Sequence, residues 1–141
     1  MNKFRKVLCF SLALSLTLSL CINLKAEAAE TRASAYLAAY RAYVYTDGND
    51  VSVWYDVCAS GTMDEVGVLT IRLQEQAPGS STWTTVKTYS HTNYPDLLRY
   101  NYDIHYGHVD YIGRAECSYR AYVTVWAGKN GDGDSRIILA T

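Results

Sequence analysis

The sequence predicts an all-β protein, an antiparallel two-sheet sandwich of about seven strands, and three observations predict it. Apolar and polar residues alternate with period two through one stretch after another, as in Ser118-Tyr119-Arg120-Ala121-Tyr122-Val123-Thr124-Val125. Turn-forming residues punctuate those stretches: Asp47-Gly48, Pro78-Gly79 and the Gly128–Asp134 loop. No strand–helix alternation of the kind that builds a parallel sheet is present.

Taken in order, Arg41–Tyr45 reads as a strand, while Ala33–Ala39 fits either a strand or a helix face. Asp47-Gly48 supplies the positive backbone dihedrals of a hairpin turn. Val51–Cys58 returns with Val51, Val53, Tyr55 and Val57 on one face, which leaves Cys58 on the other with Trp54 and Asp56. Ala59–Glu65 reads as a polar turn, and Val66–Gln76 as a strand setting Leu69, Ile71 and Leu73 against Thr70, Arg72 and Gln74. After the Ala77–Ser81 break, Thr82–Tyr89 is rich in β-branched residues, which suit a pleated, half-exposed surface. The cleanest alternation follows: Leu98, Tyr100, Tyr102, Ile104 and Tyr106 against Arg99, Asn101, Asp103 and His105. Gly107–Gly113 turns back into Ala115–Ala127, read as the central strand, and Arg136–Ala140 closes the fold.

The N-terminus gives an address. Lys3, Arg5 and Lys6 precede an apolar run reaching Leu24, and Ala26-Glu27-Ala28 follows, so residues 1–28 have the three parts of a secretory signal peptide. Cleavage after Ala28 leaves residues 29–141 as one domain, secreted or at the cell surface and without a membrane anchor. Lys3, Arg5, Lys6, Lys25 and Glu27 leave with the signal, taking the formal net charge from −1 to −4. No basic stripe remains, which argues against nucleic acid as a partner. Both phenylalanines leave as well, so the 13 tyrosines and three tryptophans carry all the aromatic character of what remains. The two remaining cysteines, Cys58 and Cys117, are expected to form a disulfide, because an even pair in an exported chain is normally bridged. The bridge requires a bulge at Cys58, or a place for it just past the strand end, because the alternation puts it on the face away from the valines.

The segment Leu69–Gln76, then Pro78-Gly79-Ser80-Ser81, then Thr82-Trp83-Thr84-Thr85-Val86 resembles the two-strand unit of fibronectin type III and immunoglobulin-like domains. With Tyr119–Val125 and the signal, the chain also resembles an uncharacterised family of small secreted proteins of Gram-positive bacteria. The resemblance implies an immunoglobulin-like fold and an extracellular address, and no reaction.

No group of residues reads as a catalytic set, and neither metal nor cofactor is expected. Asp103, His105, His108 and Asp110 offer zinc-type donors, but a strand end and a turn do not make them converge. Asn130, Asp132 and Asp134 alternate as in a calcium loop, yet Ser135 and Thr141 stand where the loop's glycine and glutamate belong. Asp64 beside Glu65, and Ser90 beside His91, point apart as sequence neighbours do. The aromatics carry more: Tyr43, Tyr45, Tyr122 and Trp126 fall on outward faces, and Tyr122 and Trp126 are the expected ligand-binding residues. The expected function is therefore a non-catalytic extracellular module that binds a protein or a glycan. The alternatives are a self-associating cell-envelope protein and, third, a metal-dependent hydrolase.

Overall fold

The computed structural model describes residues 34–141; the expected signal peptide over residues 1–28 lies outside them. Six strands follow in order: β1 (Leu37–Asp47), β2 (Asp50–Gln76), β3 (Thr84–Ser90), β4 (Leu98–Ile112), β5 (Ser118–Lys129) and β6 (Asp132–Ala140). A single 3₁₀ turn, Pro95–Leu97, precedes β4, and no α-helix occurs among the described residues. Every strand pairing is antiparallel.

β2 organises the sheet. Its first half lies between β1 and β4, with Val57 opposite both Tyr40 and His105. Its second half lies between β3 and β5, with Arg72 opposite both Thr88 and Tyr122, and β6 extends the sheet beyond β5. The sheet curls far enough to bring β1 alongside β5 and β6 without pairing to either. Tyr36, just before β1, spans that gap with a 2.9 Å hydrogen bond to Asp132 at the start of β6.

The count of six instead of about seven has one cause. The expected turn at Ala59–Glu65 is a bend inside a continuous strand. From Cys58 to Met63, five residues of β2 pass two of β4, Ile104 to Tyr102. The surplus Ser60-Gly61-Thr62 bulges outward, and the Ser60 amide donates to the Tyr36 carbonyl at 2.8 Å. Likewise the expected Gly107–Gly113 turn is mostly strand, because β4 continues to Ile112 opposite Asp50. The central strand β5 pairs with the Glu65–Gln76 half of β2, not with Val51–Cys58.

Alternation predicts the inward residues of 51–57 and of β5, but not the place of Leu69. The register shift between Val68 and Thr70 leaves it half-buried, out of the core of Ile71 and Leu73, and Val66 and Val68 are buried instead. Val51, Val53, Tyr55 and Val57 of β2 meet Ile71 and Leu73 from its second half and Ala121, Val123, Val125 and Ala127 of β5. Removing each valine, leucine or isoleucine from water is worth about 1.5–3 kcal/mol. On β4 the expected faces are reversed. His105, Gly107, Val109 and Tyr111 point inward, and Ile104 and Tyr106 are exposed. Two features set this phase: Asn101 takes a positive φ of 61° beside the slip in β2 pairing, and Gly107 leaves room for the Tyr55 ring, whose hydroxyl would lie 2.6 Å from any Cβ there.

The expected Cys58–Cys117 disulfide is absent, and both are free thiols. The Gly113–Cys117 turn is docked on the start of β2: the Gly113 amide donates to the Asn49 carbonyl at 2.7 Å and the Ala115 amide to Asn49 Oδ1 at 3.0 Å. Cys58 lies eight residues beyond Asp50, about 26 Å of strand at 3.3 Å per residue. A disulfide needs Cα atoms within about 7 Å. The valine alternation that put Cys58 on the outer face also holds, a second reason that it does not meet the core-packed Cys117.

Candidate binding surface

The hairpin joining β1 to β2 has a two-residue loop, Gly48-Asn49, with Asp47 opposite Asp50. Glycine at φ 58° accommodates the tight reversal. That register sets Tyr43 opposite Trp54, and the β2–β4 register sets Trp54 opposite His108. All three point out, making a ring row across three strands. Tyr43 and Trp54 are nearly parallel, 6° apart with centroids 6.4 Å apart; Trp54 and His108 stack at 4.3 Å and 24°.

Neighbouring rows on the same face are polar and mutually satisfied. Arg41 forms an ion pair with Asp56 at 2.9 Å, beside Tyr106. On the other side the Ser52 hydroxyl donates to Asp110 at 2.6 Å, and His108 Nε2 lies 3.4 Å from the same carboxylate. Tyr45, 57% exposed, and Tyr106, 68% exposed, flank the stacked row, and Ile104 continues it past Cys58. The result is an open aromatic face on β1, β2 and β4 whose charges are largely paired within it. With a ring on each side, Trp54 presents its rim to solvent more than its faces.

The opposite outer face, on β3, β2, β5 and β6, holds the two expected ligand-binding residues. Tyr122 is half-buried between two guanidinium groups, Arg72 at 4.9 Å and Arg120 at 5.5 Å from its ring centre, and Arg120 also covers Trp83 at 4.4 Å. Trp126 packs over Gly128 and Gly133: a Cβ at Gly128 would lie 2.6 Å from the indole. Its Nε1–H donates to Glu65 at 3.1 Å. Trp126 thus covers backbone that glycine leaves bare, a structural use of its ring.

The groups considered for chemistry are dispersed. His105 and His108 lie on opposite faces of β4, and no three His, Cys, Asp or Glu residues converge among the described residues. His105 is buried; its Nε2–H donates to the Asp96 carbonyl at 2.7 Å, the Tyr55 hydroxyl lies 3.3 Å from the same nitrogen, and Nδ1 has no partner. Burial is the main cause holding its pKa below the ordinary imidazole value, so the ring is neutral near pH 7. Asp64 accepts the Asn130 amide at 2.6 Å, Asp132 accepts the Gly133 amide at 2.8 Å, and Asp134 is paired with Arg136. These contacts shape the β5–β6 turn. The Ser90 hydroxyl meets Thr92 at 3.4 Å, and the His91 amide is bound to the Leu69 carbonyl.

The sequence places Tyr43 and Tyr45 on an outer face but does not mark Trp54 or Tyr106 as binding residues, and offers His108 only as a zinc-type donor. The signal for Trp54 was available. A two-residue Gly48-Asn49 loop fixes Tyr43 opposite Trp54 by counting outward from the turn. No protein-family model, curated protein or solved structure matches the chain.

Proposed function

We propose that the protein is a secreted, non-catalytic binding module and that the outer face of β1, β2 and β4 engages an extracellular protein. The observation that carries this reading is the exposed Tyr43–Trp54–His108 row with Tyr45 and Tyr106 beside it. Tyrosine, tryptophan and arginine are the residues on which protein interfaces concentrate their binding energy. Rims of stacked rings suit insertion between a partner's side chains better than the flat stacking a sugar needs. Export rests on the signal read at residues 1–28.

The fold we infer is the immunoglobulin/fibronectin III-like sandwich. In support, β1, the first half of β2 and β4 follow one another as one layer, and β3, the second half of β2, β5 and β6 as the other. Counting β2 twice restores seven strands. A second support is Tyr119 at the start of β5, whose hydroxyl accepts the Arg114 amide five residues upstream at 2.7 Å, as in the tyrosine corner of such domains.

Binding to isolated envelope, secreted proteins and a glycan array, comparing wild type with Trp54→Ala, tests the function. Loss of a protease-sensitive target with Trp54→Ala supports it. Undiminished binding by that variant removes this face from consideration, and binding confined to glycans reassigns the partner.

One observation favours self-association as a second reading. Edge strand β6 exposes Ile137, at 70%, and Leu139. An unpaired apolar edge is a template for another strand. A concentration-dependent sedimentation coefficient that Ile137→Lys abolishes separates this reading from the first.

A further inference from the structure

Beside the free edge of β4, the segment from Asn93 to Leu97 stands off from Val109 and Asp110 and leaves an open hollow of about 450 Å³. Tyr55, Tyr89, Tyr94, Asp96, His108 and Asp110 line it, and none of the lining residues is a lysine or an arginine. Its volume falls in the lower part of the range for small-molecule sites, about 300–1,000 Å³.

Two rings form a corner in it. Tyr89 and Tyr94 have centroids 5.1 Å apart and planes at 62°. The Tyr89 hydroxyl is spent donating to the Asp110 carbonyl at 2.7 Å, so what that residue can offer a ligand is its electron-rich ring. Lys87 Nζ already lies 5.7 Å from the centre of that buried ring, so Tyr89 serves as a wall of the corner and Tyr94 is the ring open to a ligand. Two carboxylates, Asp96 and Asp110, also stand at the hollow. Burial first, then the Asp96 charge, pushes the Tyr55 phenol up to about 12; burial first, with Tyr94 and Asp110 behind it, does the same for Tyr89.

We propose that this hollow binds an organic ammonium group, held by cation–π contact with the exposed Tyr94 ring, backed by Tyr89, and by the Asp96 carboxylate, with the charge of Asp110 nearby. Aromatic faces beside carboxylates attract a positive charge wrapped in carbon, which an inorganic ion does not provide. With no converging set of three metal-type donors among the described residues, the site lacks what a metal ion would need. A quaternary headgroup and a lysine-like primary amine share this chemistry. The hollow shares His108 and Asp110 with the outer aromatic face, but its rings, Tyr89 and Tyr94, lie outside that face, so either reading can fail alone.

The test is titration of the folded protein with choline, with butylammonium and with the uncharged tert-butyl analogue of choline, read by tyrosine ring shifts in NMR. At least one ammonium compound is expected to bind about 10-fold or more tighter than the uncharged analogue. Preference for choline identifies a quaternary headgroup, and preference for butylammonium a primary amine. Tyr94→Ala should weaken binding by about 10-fold and Tyr94→Phe by less than about twofold, since the ring and not the hydroxyl is used. Asp96→Asn should weaken it severalfold and leave the fold intact, because that side chain is exposed. Equal binding of choline and its uncharged analogue, no response to either ammonium compound, or full binding by Tyr94→Ala would overturn the proposal.

Discussion

The Tyr119 hydroxyl accepts the backbone N–H of Arg114 at 2.7 Å and donates its own proton to the buried carboxylate of Glu75, whose other oxygen is paired with the Arg114 side chain. One phenol and one carboxylate thus tie Arg114, by main chain and side chain, into the turn that Asn49 also holds at Gly113 and Ala115. The Arg114 guanidinium, then the Tyr119 hydroxyl, holds the Glu75 carboxyl below its ordinary value against the opposing effect of burial. A carboxyl depressed in the folded state adds stability that is present above its unfolded value and lost as pH falls through the folded one. Glu75→Gln should therefore be less stable than wild type by about 1.5–3 kcal/mol at pH 7, the usual worth of a hydrogen bond to a charged group. The gap should close as urea melts are repeated below the usual carboxylate range. A gap independent of pH would mean that the charge is not what stabilises the turn.

Tyr119→Phe keeps the ring and removes the bridge. It leaves the Arg114 amide and one Glu75 oxygen without that partner, a loss of about 2–3 kcal/mol by urea denaturation at neutral pH. A change under about 0.5 kcal/mol would show that water replaces the hydroxyl without cost.

What the sequence made legible follows from where its signals were local. Alternation in β2 and β5 gave the buried valines and the outward Trp54, because a half-buried strand displays its period directly. β4 misled for the same reason. Tyr100, Tyr102, Ile104 and Tyr106 look like a core stripe by composition, but their phase is set by Asn101, Gly107 and a five-against-two slip in β2, none of which marks the sequence with an apolar pattern. The polar stretch at Ala59–Glu65 did signal a change of direction, which hydrogen bonding carries out without breaking the strand. The rings on the outer face were half legible. Counting from the Gly48-Asn49 loop pairs Tyr43 with Trp54, whereas stacking His108 on Trp54 required the long-range β2–β4 register.

The two thiols give a direct check on the architecture. With Cys58 on the outer face and Cys117 at the far end of the first half of β2, both should remain alkylatable in the native protein, and reductant should not move the denaturation midpoint. Cys58→Ser, at a partly exposed site, should cost less than about 1 kcal/mol. A native mass lower by two hydrogens, with a reductant-sensitive midpoint, would require a different course for β2.

The tryptophans should separate structure from contact. Trp126→Ala uncovers Gly128 and Gly133 and strands the Glu65 contact, and truncation of a packed tryptophan costs about 3–5 kcal/mol. Trp54→Ala removes an outer ring held by stacking, worth about 0.5–1.5 kcal/mol per aromatic pair. Thermal melts should rank the two variants in that order, with Trp54→Ala still folded and usable in binding assays. The reverse order would make Trp54 the structural residue and Trp126 the candidate contact.

His105 offers a probe of the interior beneath the outer face. Its ring is buried against Tyr55, its Nε2–H is used by the Asp96 carbonyl, and its Nδ1 faces no donor, so the folded state stabilises the neutral form with the proton on Nε2. Desolvation dominates over the carbonyl contact and depresses the pKa. Because the folded value lies below the unfolded one, the unfolded chain takes up the proton first as pH falls. Stability is then complete above the ordinary histidine range near about 6.5 and declines as pH drops through the folded value. Nitrogen-15 NMR should report the Nε2–H tautomer at neutral pH and a titration midpoint for His105 below the ordinary histidine value of about 6.5. A midpoint at or above about 6.5 would mean that water or a ligand reaches Nδ1, and that the space beneath β4 is more open than the packing of Tyr55 and Gly107 describes.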